Sequence, residues 1–228
     1  DSLRTLKAKV SLNIFKQSAN NDIYVENGYA SKMEYPLNEQ SVDRATDRFK
    51  YVYDKYLKNA NTKEYLTIIP DKNYFLAEEN GYLSIDYDKM ITELRENTAF
   101  LQYVDITENL SLQDFYKTDT HWKQENILQV AENLANGMGT TLKNKYEKVT
   151  LDTPFYGVYY GQLGLPIDAD VISYLNHDMF KDCIITNHEN GQRIPMYSMD
   201  KATGRDPYEK FLSGSLSVIT IENQNATS

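Results

Sequence analysis

Leu3, Leu6, Val10 and Ile14 recur at three- and four-residue intervals, which predicts a first helix reaching about residue 17. Polar Asn20-Asn21-Asp22 breaks that pattern, and two short runs, Ile23-Tyr24-Val25 and Tyr29-Ala30-Ser31, then flank Glu26-Asn27-Gly28. An Asn-Gly pair between such runs predicts a tight hairpin, because both central residues need positive φ. Val42, Ala45, Phe49, Val52, Tyr53, Tyr56 and Leu57 mark an amphipathic helix over about 39–58. Tyr65-Leu66-Thr67-Ile68-Ile69, closed by Pro70, reads as a buried strand. A helix over 86–96 carries Tyr87, Met90, Ile91 and Leu94 on one face, and Phe100-Leu101-Gln102-Tyr103-Val104 reads as a second buried strand. Ile127, Leu128, Ala131, Leu134, Ala135 and Met138 give the clearest helical stripe, within a helix over 123–138 that Gly137 and Gly139 end. Helix and strand alternate, so the expected fold class is α/β with parallel neighbours in the sheet. Beyond residue 147 strands and turns dominate: Asn190-Gly191 signals a hairpin and Ser217-Val218-Ile219-Thr220-Ile221 a final strand. With no repeat, low-complexity tract or linker, one domain over 1–228 is expected, with a β-rich insertion over about 150–200.

Composition narrows the function classes. With 41% hydrophobic and 25% charged residues in 228, the chain is globular and long enough for a full core. Net charge is −9 and the basic residues are dispersed, so nucleic acid is not an expected partner. No apolar stretch nears the roughly 18 residues of a membrane helix, and Asp1-Ser2-Leu3-Arg4 shows no signal-peptide pattern. A single cysteine, Cys183, excludes an internal disulfide and a thiolate metal cluster; its strand-like setting makes it a small core residue. The 19 tyrosines suit a carbohydrate partner, since phenol rings stack on sugar faces, but they equally suit side chains spanning core and surface.

The candidate chemistry centres on Tyr116-Lys117-Thr118-Asp119-Thr120-His121-Trp122, just before a helix. An Asp and a His two positions apart in a non-helical turn can meet. The carboxylate then accepts Nδ1–H and leaves Nε2 as a general base for a serine on another loop. The competing reading makes Asp119 or Thr120 the N-cap of the 123–138 helix, with Trp122 packed beneath it. His177 and His188 show no ligand spacing to His121, so no metal is expected. Both sit in polar turns and are expected at the surface. Asp71 and Lys72 follow the first buried strand at its C-terminal end, where α/β proteins bind ligands, though a helix cap explains the same position. The segment Tyr156 to Gly164, which includes Tyr159 and Gln162, reads as a mobile aromatic loop over a site or as a bulged strand. It is not a phosphate loop, since no Gly-Lys-Ser/Thr follows. No Gly-x-Ser-x-Gly and no Gly-Asp-Ser occurs. Ser213 and Ser215 precede a strand, whereas a nucleophile needs a strand-to-helix turn whose amides can meet an oxyanion.

Several segments together resemble the DHHW protein family of Gram-positive gut bacteria. They are Leu66-Thr67-Ile68-Ile69-Pro70-Asp71-Lys72-Asn73-Tyr74-Phe75-Leu76-Ala77, Asp86-Tyr87-Asp88-Lys89, Phe115 to Trp122, Pro154 to Gly161, Asp206-Pro207-Tyr208-Glu209, Leu212-Ser213-Gly214 and Thr220-Ile221-Glu222-Asn223. The match runs in order along essentially the whole chain. The family is named for Asp-His-His-Trp, and Thr120 replaces the first of those histidines here. More distantly it is similar to alginate O-acetylation proteins, which are SGNH-hydrolase-like and extracytoplasmic. The resemblance implies a three-layer SGNH-hydrolase-like sheet and casts Asp119 and His121 as the Asp-x-His pair of a Ser-His-Asp triad. It further implies an esterase or O-acetyltransferase acting on cell-surface polysaccharide. No cofactor is implied; a membrane acyl-donor protein is an expected partner, and Asp71, Lys72, Tyr159 and Gln162 are expected to line the cleft. The family's serine lies in an Arg/Gly-Asp-Ser segment following the pattern seen around Thr220 to Asn225. Nothing here matches that segment, so the serine is expected beyond Ser228 and the chain alone is expected to be inactive. The alternative is a non-catalytic cell-surface module that keeps the fold and binds glycan or protein.

Overall fold

The computed structural model describes residues 2–15, 17–143, 145–204, 206–223 and 225. Residues 226–228, where the sequence offered no strand-to-helix turn, lie outside them. The architecture is mixed α/β, with six α-helices and four small sheets among the described residues.

Helix α1 spans Ser2–Lys9 and tightens into a π-helical turn over Val10–Ile14. The expected apolar stripe does not enter a core: Leu3, Leu6 and Ile14 are exposed, and Ala8 is the buried residue of α1. Strands β1 (Ile23–Glu26) and β2 (Tyr29–Lys32) form the expected hairpin, with Glu26 opposite Tyr29. Asn27 and Gly28 take φ of 51° and 79°, the left-handed pair that a two-residue turn requires. Helix α2 (Glu39–Val52) starts at Asn38, whose side chain accepts from the Ser41 N–H at 3.1 Å. It too ends in a π-helical turn, over Tyr53–Leu57.

The two apolar runs do pair in parallel, but as short strands: β3 is Tyr65–Leu66 and β4 is Gln102–Tyr103. The ladder stops early because the chain turns toward Pro70, which has no N–H to give, and Asp71 then caps α3 (Lys72–Leu76). Ile69 is left half-exposed, against the buried strand expected there. Helix α4 (Tyr87–Asn97) is capped by Asp86, which accepts from Lys89 N–H at 2.8 Å. Helix α5 is Leu128–Gly137, preceded by a single 3-10 turn over Gln124–Asn126.

Strands β5 (Glu147–Phe155) and β6 (Asp170–Asn176) pair antiparallel, with a register shift between Thr150 and Pro154. Between them lies a short helix, α6 (Val158–Leu163), where a mobile loop or bulged strand had been expected. Strand β7 (Cys183–Asn187) is central to a three-stranded sheet, flanked by β8 (Arg193–Ile194) and β9 (Ile219–Asn223). Asn190-Gly191 makes the predicted turn between β7 and β8, with Gly191 at φ 70°. Cys183 is half-buried, its thiol donating to the Met179 carbonyl at 3.4 Å.

Apolar side chains gather in three clusters. Ile23 and Ala30 of the hairpin close on Leu163 of α6; Ile106, Leu110 and Val130 pack under α5; Tyr116, Phe155 and Ile172 join the β5–β6 pair to the 116–122 turn. Each cluster contributes a wall to the segment holding the Asp-x-His motif: Tyr159 belongs to the first, Trp122 to the second and Tyr116 to the third.

Candidate active site

Residues 116–121 form a closed turn. The Tyr116 N–H donates to the His121 carbonyl at 3.2 Å, the Lys123 N–H donates to Asp114 O at 2.6 Å, and Phe115 bridges Trp122. The aromatic ends anchor it: Tyr116 is fully buried against Phe155, and Trp122 packs on Ile106, Leu110 and Val130. Between these anchors Asp119 and His121 come together. Asp119 Oδ1 lies 2.5 Å from His121 Nδ1 and also accepts the His121 N–H at 3.0 Å. Oδ2 accepts the Val158 N–H at 2.9 Å. Asp119 therefore does not cap the following helix; its oxygens are taken by the histidine and by the first amide of α6. Lys123 precedes the 3-10 turn and makes no side-chain cap.

Burial pushes the Asp119 carboxyl up, but hydrogen bonds from the His121 ring, Val158 N–H and His121 N–H outweigh it and hold the group below the usual carboxylate range. An ionised, acceptor-only carboxylate fixes the proton of the neutral imidazole on Nδ1. The His121 side chain is 46% exposed, and Nε2 bonds no side chain or main chain among the described residues. Its ring lies flat on Tyr208, centroids 3.9 Å apart and planes at 14°. Tyr208 is set by Asp206, which accepts its N–H at 3.0 Å, and by Pro207 at the start of the same 3-10 turn.

The turn itself is gripped from two sides by opposite charges. Asp170, at the start of β6, accepts the N–H groups of Lys117 and Thr118, each at 2.7 Å, and the Thr118 hydroxyl at 2.6 Å. Lys72 sends its ammonium to the carbonyls of Tyr116 at 2.8 Å and Lys117 at 3.3 Å, under the Tyr159 ring at 4.9 Å. An anion on the amide side and a cation on the carbonyl side hold these peptide dipoles in one orientation. Burial pulls the Lys72 ammonium down to about 7, against the opposing pull of Asp170, Asp119 and Asp71.

Helix α6 completes the frame. Gly157 N–H donates to Thr118 Oγ1 at 2.9 Å and Tyr159 N–H to Thr118 O at 3.0 Å. A Cβ on Gly157 would lie 2.6 Å from the Asp119 Cα and closer still to its side chain, so this position admits glycine alone.

The remaining expected site residues fall as follows. Asp71 is the N-cap of α3, accepting from Asn73 N–H at 3.0 Å and from the Tyr87 hydroxyl at 2.5 Å. Lys72 is 2% exposed and supports the turn from beneath instead of facing a cleft. Tyr159 turns inward over Lys72, while Gln162 stays at the surface, its carbonyl accepting from Asn21 at 2.8 Å. Asp119, His121, Lys72 and Tyr159 are thus neighbours; Asp71 and Gln162 stand apart from the pair. His188 is exposed beside the Thr220 hydroxyl; His177 is half-buried and caps the 178–182 turn, short of the surface position expected for it. No group of His, Cys, Asp and Glu side chains suited to a metal occurs among the described residues. Asp170 had not been singled out for the site; Gly157 and Tyr208 lay in segments already noted, but with no role given to either. The bonds of Asp170 to Lys117 and Thr118 span 53 and 52 residues and that of Gly157 to Thr118 spans 39, so nothing local marks them.

No family model and no curated protein matches the sequence. Solved structures do. A DHHW family protein from Eubacterium siraeum aligns over 90% of this chain and 72% of its own, with a TM-score of 0.64 and 15% identity. The chain shares the fold of a DHHW family protein. Bacillus cereus PatB1 shares this DHHW-like fold as well. Its complex with a sulfonyl adduct gives a TM-score of 0.68 at 15% identity, over 90% of this chain and 75% of PatB1. A second PatB1 structure gives 0.59 at 17% identity, over 90% and 76%. The turn carries the Asp119-Thr120-His121-Trp122 run noted in the sequence, with Thr120 exposed.

Proposed function

We propose that this chain supplies the acid–base half of an SGNH-hydrolase-like esterase or O-acetyltransferase working on acyl esters of cell-surface carbohydrate, outside the cytoplasm. The observation that carries this reading is the 2.5 Å contact between Asp119 Oδ1 and His121 Nδ1 on a fixed turn, with Nε2 unpartnered among the described residues. In that arrangement a serine hydroxyl presented to Nε2 loses its proton as its oxygen attacks the ester carbonyl. The imidazolium, steadied by Asp119, returns the proton to the departing alkoxide. The acyl-serine then passes its acyl group to a carbohydrate hydroxyl or to water by the same proton relay.

The serine belongs outside this chain. Ser213 bonds Ser198, and no serine bonds the His121 ring among the described residues. The PatB1 adduct supports the reaction class, since sulfonyl groups are captured by activated nucleophiles and PatB1 has the same fold. The parallel β3–β4 pair is the element that a three-layer SGNH-like sheet would extend; in this reading the chain is one domain, with the 150–200 segment as its β-rich insertion. No helix among the described residues is long and apolar enough to cross a membrane; a membrane acyl-donor protein is the partner this reading proposes. Lys72 and Tyr159 serve in this reading as supports of the turn.

The test is turnover of 4-nitrophenyl acetate by the 228-residue chain and by a form continued beyond Ser228. The longer form is expected to be active and the shorter one not. Asp119→Asn in the longer form should lower kcat on the order of 10³–10⁴-fold, as the imidazole takes the wrong tautomer. Equal turnover by both forms would overturn the external nucleophile, and full activity in His121→Ala would overturn the role of the pair.

A further inference from the structure

Three buried polar atoms behind the His121 ring have no hydrogen-bond partner among the described residues: Lys210 Nζ, Glu125 Oε2 and the Tyr116 hydroxyl. None of them takes part in the Asp119–His121 relay. Lys210 and Tyr116 are fully buried, and the Glu125 side chain is 5% exposed. An ammonium brings three donors and a carboxylate several acceptor sites, so such groups are rarely left bare in a folded interior. Lys210 sits in an aromatic box, its Nζ 4.0 Å from the centre of the Tyr174 ring, 4.8 Å from Phe211 and 5.8 Å from Tyr197. Ring faces attract the cation without replacing the oxygen acceptors its N–H groups lack. Burial draws this ammonium down to about 8, against the opposing pull of Glu125, so it stays mainly charged at neutral pH.

The three groups belong to one packed region. Ile172 and Tyr174, two apart on β6, share a face of the strand; Tyr116, Tyr208 and Phe211 pack around Ile172, and the Lys210 ammonium lies on Tyr174. Glu125 is brought there by its neighbour Gln124, which accepts from the Leu175 N–H at 2.9 Å and from the hydroxyl of Tyr197, one wall of the box, at 3.3 Å. The charge of Glu125 acts on Lys210 and Tyr116 alike, while Lys148 lies 3.5 Å from its other oxygen. Along the chain, Glu125 is four residues past His121 and Lys210 two past Tyr208. Segments 121–125 and 208–210 are thus joined twice, by the His121–Tyr208 stack at 3.9 Å and by the opposite charges behind it. Lys210 also ends the 3-10 turn that carries Tyr208.

We propose that Lys210 and Glu125 are positioning residues for His121: a buried, water-bridged charge pair that fixes the 207–210 turn and so keeps Tyr208 stacked on the imidazole. Water is the group that fits between them, since one molecule accepts from Nζ and donates to Oε2, and the Tyr116 hydroxyl can join the same chain. The pair acts through Tyr208 and touches no reacting atom. Its effect on turnover rests on the ester-transfer reading; its effect on the stack does not, so the two fail separately.

The experiment is proton and nitrogen-15 NMR of the His121 ring in the 228-residue chain. A ring lying flat on a phenol has its C–H signals shifted upfield, and Tyr208→Leu marks where they fall without that shift. Lys210→Met keeps the length of the side chain and removes its charge; it should move the His121 signals toward those of Tyr208→Leu. Glu125→Gln should move them the same way, and it carries the test if Lys210→Met does not fold. Stability losses in urea should not add in Lys210→Met/Glu125→Gln, because each single variant leaves a buried charge without its partner. In the form continued beyond Ser228, Lys210→Met should lower kcat by about 10–100-fold with KM unchanged. Lower stability with the His121 signals at their wild-type position would mean a merely structural lysine and overturn the proposal. So would signals unmoved in Glu125→Gln, or additive losses in the double variant. Moved signals with no ester turnover by the wild-type longer form would leave the positioning pair standing and sink the catalytic reading.

Discussion

Gly157→Ala offers a perturbation whose size can be worked from the geometry. The new Cβ would lie 2.6 Å from the Asp119 Cα, where ordinary contact begins at 3.4 Å, so the two segments must part by roughly 1 Å. Asp119 cannot retreat, because the preceding Thr118 is held by Asp170 through its N–H and hydroxyl at 2.7 and 2.6 Å. Helix α6 must therefore move, and its first amides leave their acceptors. The Val158 N–H bond to the Asp119 carboxylate is charge-assisted and contributes about 1.5–3 kcal/mol; the Gly157 N–H bond to Thr118 Oγ1 adds about 0.5–1.5 kcal/mol. The lower entropy of an unfolded chain with alanine offsets about 0.4–1 kcal/mol of this. The net expectation is a loss of about 1–4 kcal/mol. Urea denaturation should show this as a lower midpoint with unchanged slope. Gly161→Ala is the internal control: same helix, same substitution, open space, and a gain of roughly 0.5–1 kcal/mol. If Gly157→Ala proves as stable as Gly161→Ala, the close packing of α6 on Asp119 is wrong.

Other expectations follow from the same frame. Asp170→Asn removes the charge that accepts three hydrogen bonds from Lys117 and Thr118, and should cost about 2–4 kcal/mol by urea denaturation. Lys72 has a folded pKa of about 7, below its ordinary 10.5, so the unfolded chain binds the extra proton between those values. Its contribution to stability therefore rises with pH through that window, by at most about 1.4 kcal/mol per unit; Lys72→Met should flatten the rise measured from pH 7 to 9. Asp119 has the opposite displacement for an acid: its folded pKa lies below 3.8, so its contribution is present above that value and is lost as pH falls through the folded pKa. Acid unfolding of Asp119→Asn should show a correspondingly shallower dependence there. Tyr208→Ala should free one face of His121 and lower stability by about 0.5–1.5 kcal/mol beyond lost burial, read by double-mutant comparison with His121→Ala.

The elements legible in the sequence were those whose signal is local. Asn27-Gly28 dictated its turn by φ alone, and the stripes of α2, α4 and α5 placed those helices to within a few residues. The proximity of Asp119 and His121 was legible for the same reason: two residues apart in a turn, their side chains are within reach. Helix α6 was not, because Tyr156 to Gly164 contains three internal or flanking glycines and few strong helix formers. It forms because its first amides find acceptors on Thr118 and Asp119 and Leu163 buries under the hairpin. Lys72 was expected to line the cleft because it follows a strand at its C-terminal end; its partners on Tyr116 and Lys117 lie 44 and 45 residues away, so nothing local marked its burial. The apolar stripe of α1 misled in the other sense, since nothing among the described residues covers Leu3, Leu6 or Ile14.

The central claim is that Asp119 holds the His121 ring with its proton on Nδ1 and leaves Nε2 bare. With three histidines in the chain, nitrogen-15 NMR of the imidazole rings resolves each one. At alkaline pH the account predicts that His121 shows a protonated Nδ1 with a far-downfield hydrogen-bonded proton, an unprotonated Nε2, and loss of that proton signal in Asp119→Ala. A His121 ring protonated on Nε2, or a signal unchanged by Asp119→Ala, would contradict it.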